Sequence, residues 1–312
     1  MGHFHQPVLL EEVLEALALK PKGVYVDGTL GTGGHALAIG KRLDKDGLLI
    51  GLDVDEEAIK VASQRLRSLH CEWRVFKKSY ADVNALLDSL NIPGVDGILL
   101  DLGMSSFQLE HSGRGFSFSR DEPLDMRMDP GSSGPTASDL VNSLSEKELE
   151  DLLRQYGEER YARRISKKIV QIRYKAPIKT SSQLASLVRA IYLQPRGPIP
   201  RHPATRTFQA LRIAVNRELE NLELFLERAP DVLKHGARLV ILTYHSLEDR
   251  IVKQRFASWE KGCTCPPDFP QCVCGKMPVM KRIFKKAKRP SKKEVILNPR
   301  ARSAILRAAE RV

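Results

Sequence analysis

The stretch Val24-Tyr25-Val26-Asp27-Gly28-Thr29-Leu30-Gly31-Thr32-Gly33-Gly34-His35 decides the architecture. A short β-branched and aromatic run closed by an acid reads as a strand. The glycine turn after it reads as backbone passing close to a ligand, because glycine has no Cβ to collide. Helical spacing then resumes over 36–43. The same pattern recurs in Leu48-Leu49-Ile50-Gly51-Leu52-Asp53, followed by a helix over 56–69 with Ile59, Ala62 and Leu66 on one face. A strand over 72–76 and a helix over 82–90 lead to Gly97-Ile98-Leu99-Leu100-Asp101, again ending in a carboxylate. Strands alternating with helices predict a parallel α/β sheet. Asp27, Asp53 and Asp101 then share the sheet edge where open α/β sheets bind ligands.

Beyond Ser106 the rhythm breaks. A Gly, Ser, Pro and Asp-rich stretch over 112–138 precedes helical segments over 146–156 and 159–174, and Ser181 reads as a cap before Leu184, Leu187, Val188 and Ile191. Four prolines over 194–203 predict a loop. A long helix over 205–228 returns through Gly236 to a strand, Arg238-Leu239-Val240-Ile241-Leu242. The expectation is a sheet domain over 1–110 and 205–312, with a basic tail over 276–312, interrupted by a helical domain over 111–204.

At 312 residues and 42% hydrophobic, the chain is long enough for two domains, and disorder as its main state is excluded. No apolar run reaches the roughly 18–20 residues of a membrane span, and no signal peptide fits. Gln6 stands where a myristoylation motif needs Ser or Thr. Five cysteines do not form a secreted disulfide framework. A cytoplasmic protein with no membrane partner is expected.

The net charge of +12 is unevenly spread. Residues 151–217 hold 15 basic and 3 acidic side chains, and 276–312 hold 13 and 2, so the remainder is acidic. Solvated basic helices are the plain reading of either cluster alone. Two clusters flanking an acidic core instead describe a pocket for a cation between two arms for phosphates.

Gly31, Gly33 and Ala36 match the dinucleotide pattern G-x-G-x-x-G/A, with Asp53 about twenty residues on to hold ribose hydroxyls. A nicotinamide-dependent oxidoreductase shares that turn but leaves the basic arms unexplained. Asp27 and Asp101 suit a ligand bearing an amine and a sulfonium, as S-adenosylmethionine does, better than a pyrophosphate.

Several ordered blocks resemble one family. They are His5-Gln6-Pro7-Val8-Leu9-Leu10, the loop from Asp27 to His35, Asp101-Leu102-Gly103-Met104-Ser105-Ser106-Phe107-Gln108-Leu109, and Arg114-Gly115-Phe116-Ser117-Phe118. Leu124-Asp125-Met126-Arg127-Met128-Asp129, Phe208-Gln209-Ala210-Leu211-Arg212-Ile213, Tyr244-His245-Ser246-Leu247-Glu248-Asp249-Arg250 and Asn298-Pro299-Arg300-Ala301-Arg302-Ser303 complete the set. Together they resemble the RsmH (MraW) family from end to end. The resemblance implies a class I (Rossmann-like) methyltransferase sheet with an inserted all-helical domain. It implies methyl transfer from S-adenosylmethionine to the N4 amine of a cytidine in the decoding region of bacterial 16S rRNA, within the assembled small ribosomal subunit. A non-catalytic S-adenosylmethionine-binding assembly factor is the alternative. The family's cofactor contacts fall on Gly33, Gly34, His35, Asp53, Tyr80, Asp101 and Gln108, with Tyr80 offering an aromatic face or simply packing in the core.

Many amino-methyltransferases place a D/N/S-P-P-Y/F loop after the fourth strand, and here Asp101-Leu102-Gly103-Met104-Ser105 stands there instead. Asp101 is the candidate for orienting the amine and His245 for the general base, the plainer reading of His245 being a locally bonded loop residue. Arg163, Arg164, Lys167, Lys168 and Arg173, with Lys281, Arg282, Lys285, Lys286, Lys288 and Arg289 in the tail, are candidates for RNA phosphates. Cys263, Cys265, Cys272 and Cys274 form C-x-C-x6-C-x-C; four thiolates there could bind zinc and stiffen the segment, but the spacing is tighter than the usual zinc pair, so reduced thiols or adventitious disulfides are the plainer reading and no metal ligand is assigned. Cys71 reads as a small buried apolar residue.

Overall fold

The computed structural model describes residues 7–105, 108–109, 112–192, 202–263, 265–266, 269–271 and 273–312. The chain forms two compact units, Met1–Gly103 with Leu219–Val312, and Met104–Glu218. In chain order the first unit begins with α1 (Leu10–Leu17), β1 (Val24–Asp27), α2 (Gly34–Gly40), β2 (Leu48–Asp53), α3 (Glu56–Leu66), β3 (Glu72–Lys77), α4 (Val83–Ser89) and β4 (Val95–Asp101). The second unit holds α5 (Ala137–Ser143), α6 (Glu146–Gly157), α7 (Ala162–Arg173), α8 (Ser181–Tyr192) and α9 (Thr205–Asn216). The chain then returns through α10 (Glu218–Val232), β5 (Leu233–Thr243), α11 (Ser246–Lys261), β6 (Met280–Arg282), α12 (Lys292–Leu297) and β7 (Ile305–Arg311).

The seven strands run in the order β3-β2-β1-β4-β5-β7-β6. Strands β1 to β5 are parallel, and β7 lies antiparallel between β5 and β6. Because β1 pairs with both β2 and β4, strand order reverses there, and the crevice at such a reversal is where open sheets take ligands. Along β4 the side chains alternate between faces. Ile98 and Leu100 pack with Val26, Ile241, Phe225, Leu226 and Phe256, while Leu99 packs with Tyr25, Leu49, Val240, Leu17 and Ile39. With both faces covered, the parallel strands read as continuous apolar runs closed by an acid.

The helical unit has its own core, in which Val141, Leu149, Leu153, Ile165, Ile169, Leu184, Phe208 and Leu211 are buried. Met126 sits at φ 61, an uncommon conformation for a large side chain. Asn216 fixes it there: its Nδ2 donates to Met126 O (2.8 Å) and its Oδ1 accepts from Met128 N (2.7 Å). Arg114 Nη1 donates to the carbonyls of Arg127 and Met128. The Leu124–Asp129 block therefore serves as a clamp inside this unit.

Four sequence expectations change. The helix over 205–228 is two helices, broken at Arg217 (φ 50), and α9 packs in the helical unit instead of the sheet domain. The unit boundaries accordingly fall at 103/104 and 218/219 instead of 110/111 and 204/205. The 276–312 tail is built into the sheet as β6 and β7, because its Leu306, Ala308 and Ala309 are buried where β7 pairs with β5. Ser181 is the first residue of its helix, its Oγ donating to Arg120 O, and Thr180 Oγ1 accepts from Gln183 N in the capping role. Most of the proline loop, 193–201, lies outside the described residues.

Candidate active site

The turn after β1 is held open by bonds that leave its glycines no room for side chains. Gly28 N donates to Leu99 O and Leu30 N to Leu52 O, so the turn lies across the ends of β4 and β2. A Cβ on Gly28 would stand 2.5 Å from Leu100 Cδ2 and 3.0 Å from Tyr80 Cβ. Gly33, at φ 78, leads directly into α2. Tyr80 thus lies beside the glycine turn, its ring edge-on to Phe225 at 5.8 Å.

Asp53, at the end of β2, accepts from Gly31 N at 2.7 Å and from Asp55 N at 2.9 Å, tying the glycine turn to the second strand. Burial pushes its carboxyl up to about 6. Asp27, 1% exposed, accepts from Thr29 N at 3.1 Å. Burial, with Asp101 and Asp53 adding repulsion, raises its carboxyl to about 7. Asp101 closes β4, and Thr29 Oγ1 accepts from its backbone N at 2.6 Å. Its own carboxyl is raised, first by burial and further by Glu248, against the opposing effects of His35, Tyr244 and the Gly103 N–H.

Tyr244 OH donates to Asp101 Oδ1 at 2.8 Å. Its ring lies where a Cβ on Gly103 would be, 2.6 Å from Cε2, so Gly103 makes room for this contact. Burial, then the adjacent carboxylate, raises the Tyr244 phenol well above its ordinary value, which keeps it a donor. His35 is buried, with Nε2 3.0 Å from Val8 O and Nδ1 3.5 Å from Asp101 Oδ2. A carbonyl only accepts, so Nε2 carries the proton in that contact.

His245 is engaged elsewhere. It caps α11, its Nδ1 accepting from Glu248 N at 3.4 Å, and Glu248 in turn accepts from Tyr244 N at 2.9 Å. Nε2 approaches Glu248 Oε1 to 3.1 Å, too obliquely for a hydrogen bond. Nδ1 is thus taken up in the helix cap. The cap fixes the corner that aims Tyr244 at Asp101. Gln108 lies in the helical unit, with Oε1 accepting from Ser105 N and its own N donating to Ser105 Oγ.

Sequence reasoning assigned no role to Tyr244, Gly103, Thr29 or Glu248. Tyr244 and Glu248 stood in a quoted block, but the titratable histidine between them drew the attention. The donors and acceptors fit a sulfonium and amine ligand. Three carboxylates of raised pKa gain from a nearby cation, and the glycine turn admits backbone contact where Cβ atoms would intrude.

A parallel sheet in this strand order with an antiparallel penultimate strand, carrying an acid at the ends of β1, β2 and β4, is a class I methyltransferase. The chain belongs to the MraW methylase family, whose model matches residues 2–312. It is 50% identical over 313 residues to the ribosomal RNA small subunit methyltransferase H of Geotalea uraniireducens, covering 100% of both chains. The protein of the same name from Syntrophotalea carbinolica is 50% identical over 310 residues, covering 99% of this chain and 98% of the other. Among solved structures, an rRNA methylase from Streptococcus thermophilus aligns with TM-score 0.42 at 11% identity, covering 100% of this chain and 99% of that one.

On the helical unit, Arg163, Arg164, Lys167 and Lys168 lie on the exposed face of α7, opposite buried Ala162, Ile165 and Ile169. Arg173 donates to Val141 O. In the other cluster Lys281, Lys285, Lys286 and Arg289 are exposed, while Arg282 pairs with Glu260 and Lys288 with Glu15. Three of the expected phosphate ligands therefore have structural partners. Cys71 is buried in the sheet core, as read. Among the described residues no helix is long and apolar enough to cross a membrane.

Proposed function

We propose that this methyltransferase uses S-adenosylmethionine to methylate the N4 amine of a cytidine in the decoding region of 16S rRNA, in the cytoplasm and on the assembled small subunit. The full-length likeness to proteins named ribosomal RNA small subunit methyltransferase H supports the RNA class. The observation that carries the chemistry is the Asp101 carboxylate, raised in pKa and aimed by Tyr244 OH and the Gly103 N–H.

Gly33, Gly34, His35, Asp53 and Tyr80 would hold the cofactor, with Asp53 toward the ribose and Tyr80 beside the adenine. Gln108 joins them on the family resemblance. When bound, S-adenosylmethionine supplies an electrophilic methyl group on a sulfonium. The cytosine amine is a weak nucleophile because its lone pair is delocalised into the ring. Asp101 accepts a hydrogen bond from it, which orients the nitrogen and stabilises the positive charge that develops there. A carboxyl of raised pKa also takes the departing proton more readily. Tyr244 and His35 hold that carboxyl in place. The target base leaves its stack to reach such an edge, while exposed cations on α7 and near the C-terminus hold phosphates.

The experiment is tritiated methyl transfer to small subunits lacking decoding-region methylation, followed by nucleoside analysis. Label in N4-methylated cytidine is expected. Binding of cofactor and subunits without transfer would instead support the assembly-factor alternative.

A further inference from the structure

Between α11 and β6 the described residues of the chain make a loop whose large exposed apolar side chains lie outside any core. Its ends meet: a Cβ on Gly262, at φ 66, would stand 2.5 Å from the backbone of Met277 and Pro278, and Val279 N donates to Trp259 O at 3.0 Å. Within it Phe269, Val273 and Met277 are all exposed. Among the described residues, these side chains form no core that would repay the entropy of ordering the loop.

What the loop gathers instead is sulfur. The Sγ atoms of Cys263, Cys265 and Cys274 all lie within 4.8 Å of one another, and those of Cys263 and Cys274 are 3.7 Å apart. A disulfide would bring that pair to about 2.05 Å. Two thiolates on one tetrahedral zinc, each about 2.3 Å from it, stand about 3.8 Å apart. The sequence pattern gave C-x-C spacing as an argument against a metal. In three dimensions the set is completed from across the loop, with Cys263 and Cys265 at its start and Cys274 at its end.

We propose that Cys263, Cys265 and Cys274 bind one zinc ion, which closes this loop. Three soft thiolates select zinc over magnesium or calcium. Each thiol gives up its proton on binding, so three protons leave per ion, and a water or a fourth side chain fills the remaining tetrahedral position. The site is separate from the acidic sheet edge and acts by rigidifying the loop, with no part in methyl transfer.

The test uses the full-length chain, reduced and supplied with zinc. One zinc per chain is expected by elemental analysis, and cobalt in its place should show the thiolate-to-metal charge-transfer band. Cys263→Ser, Cys265→Ser and Cys274→Ser should each reduce zinc affinity at least tenfold, whereas Cys71→Ser, in the sheet core, should leave it unchanged. Should the serine variants fold poorly, chelation of the unaltered chain serves: trypsin should then cut after exposed Lys276 several-fold faster with far-ultraviolet dichroism preserved. Absence of both zinc and the cobalt band would overturn the proposal. So would zinc that persists in the triple serine variant, or a cleavage rate indifferent to chelation.

Discussion

At the edge of the sheet, three carboxylates are pushed toward neutrality, first by burial and then by neighbouring acids, whereas on α7 four cations lie side by side on an exposed face. Both are clusters of like charge. The first is built in: Asp27 is buried, Asp53 is pinned to Gly31 and Asp101 to Tyr244, so the cost of holding charge there persists until a cation arrives. The second is solvated, and its repulsion is screened within about 10 Å at ordinary salt. A buried cluster sets chemistry at one atom, while an exposed cluster sets long-range attraction for a polyanion.

Substitution at the buried cluster gives the largest effect. Asp101→Ala should lower kcat/KM by about 10²–10³ or more. Tyr244→Phe should lower kcat by about tenfold with little change in KM and shift the acid limb of the kcat–pH profile, the mark of a residue acting through Asp101. His245→Ala should mimic Tyr244→Phe if it serves as the cap; a loss as deep as that of Asp101→Ala, with the fold intact, would restore it as a base.

Changing Arg163, Arg164, Lys167 and Lys168 together to Ala should weaken subunit binding and flatten its dependence on log salt by about 0.7–0.9 per lost phosphate contact. Cofactor affinity, measured by calorimetry, should not move.

The pH response separates the clusters further. Asp27 at about 7 and Asp53 at about 6 titrate above the ordinary 3.8 of an unfolded Asp. Between those values the cofactor-free folded chain binds more protons than the unfolded one, so these groups make it less stable as pH rises toward 7. Asp27→Asn should therefore raise the Tm at pH 8 by a few degrees relative to the natural chain, and the gap should narrow as pH falls below about 7 and close only near pH ~4. Cofactor affinity of the natural chain should fall over the same descent, as the carboxylates that face the cation are protonated. A Tm difference independent of pH would contradict the raised Asp27.

The smallest effect concerns the helical unit alone. Asn216→Ala removes the bonds to Met126 O and Met128 N and should cost about 1–3 kcal/mol, read as a shift in denaturant midpoint.

Much of the sheet was legible because a strand buried on both faces must be apolar, and its end acid is the first polar residue after it. β1 and β2 were read to the residue, and β4 to its terminal acid. The units were harder to divide. Thr205 to Arg228 has helical spacing throughout, and only the left-handed Arg217, invisible to periodicity, breaks it. The basic tail hid β6 and β7 because its charges dominate a pattern in which Leu306, Ala308 and Ala309 do the burying. At the site, the acids announced themselves by position. Tyr244 did not, since its role depends on Gly103 across two strands and on a cap that also occupies His245.

The division of labour between the two clusters is tested most directly by measuring cofactor and small-subunit affinity together in two variants, Asp101→Ala and the four-residue Ala variant of α7. Asp101→Ala should keep subunit affinity within about twofold while losing methyl transfer, and the α7 variant should keep cofactor affinity while losing subunit affinity at least tenfold. An α7 variant that binds subunits normally, or an Asp101→Ala variant that still methylates at the natural rate, would contradict it.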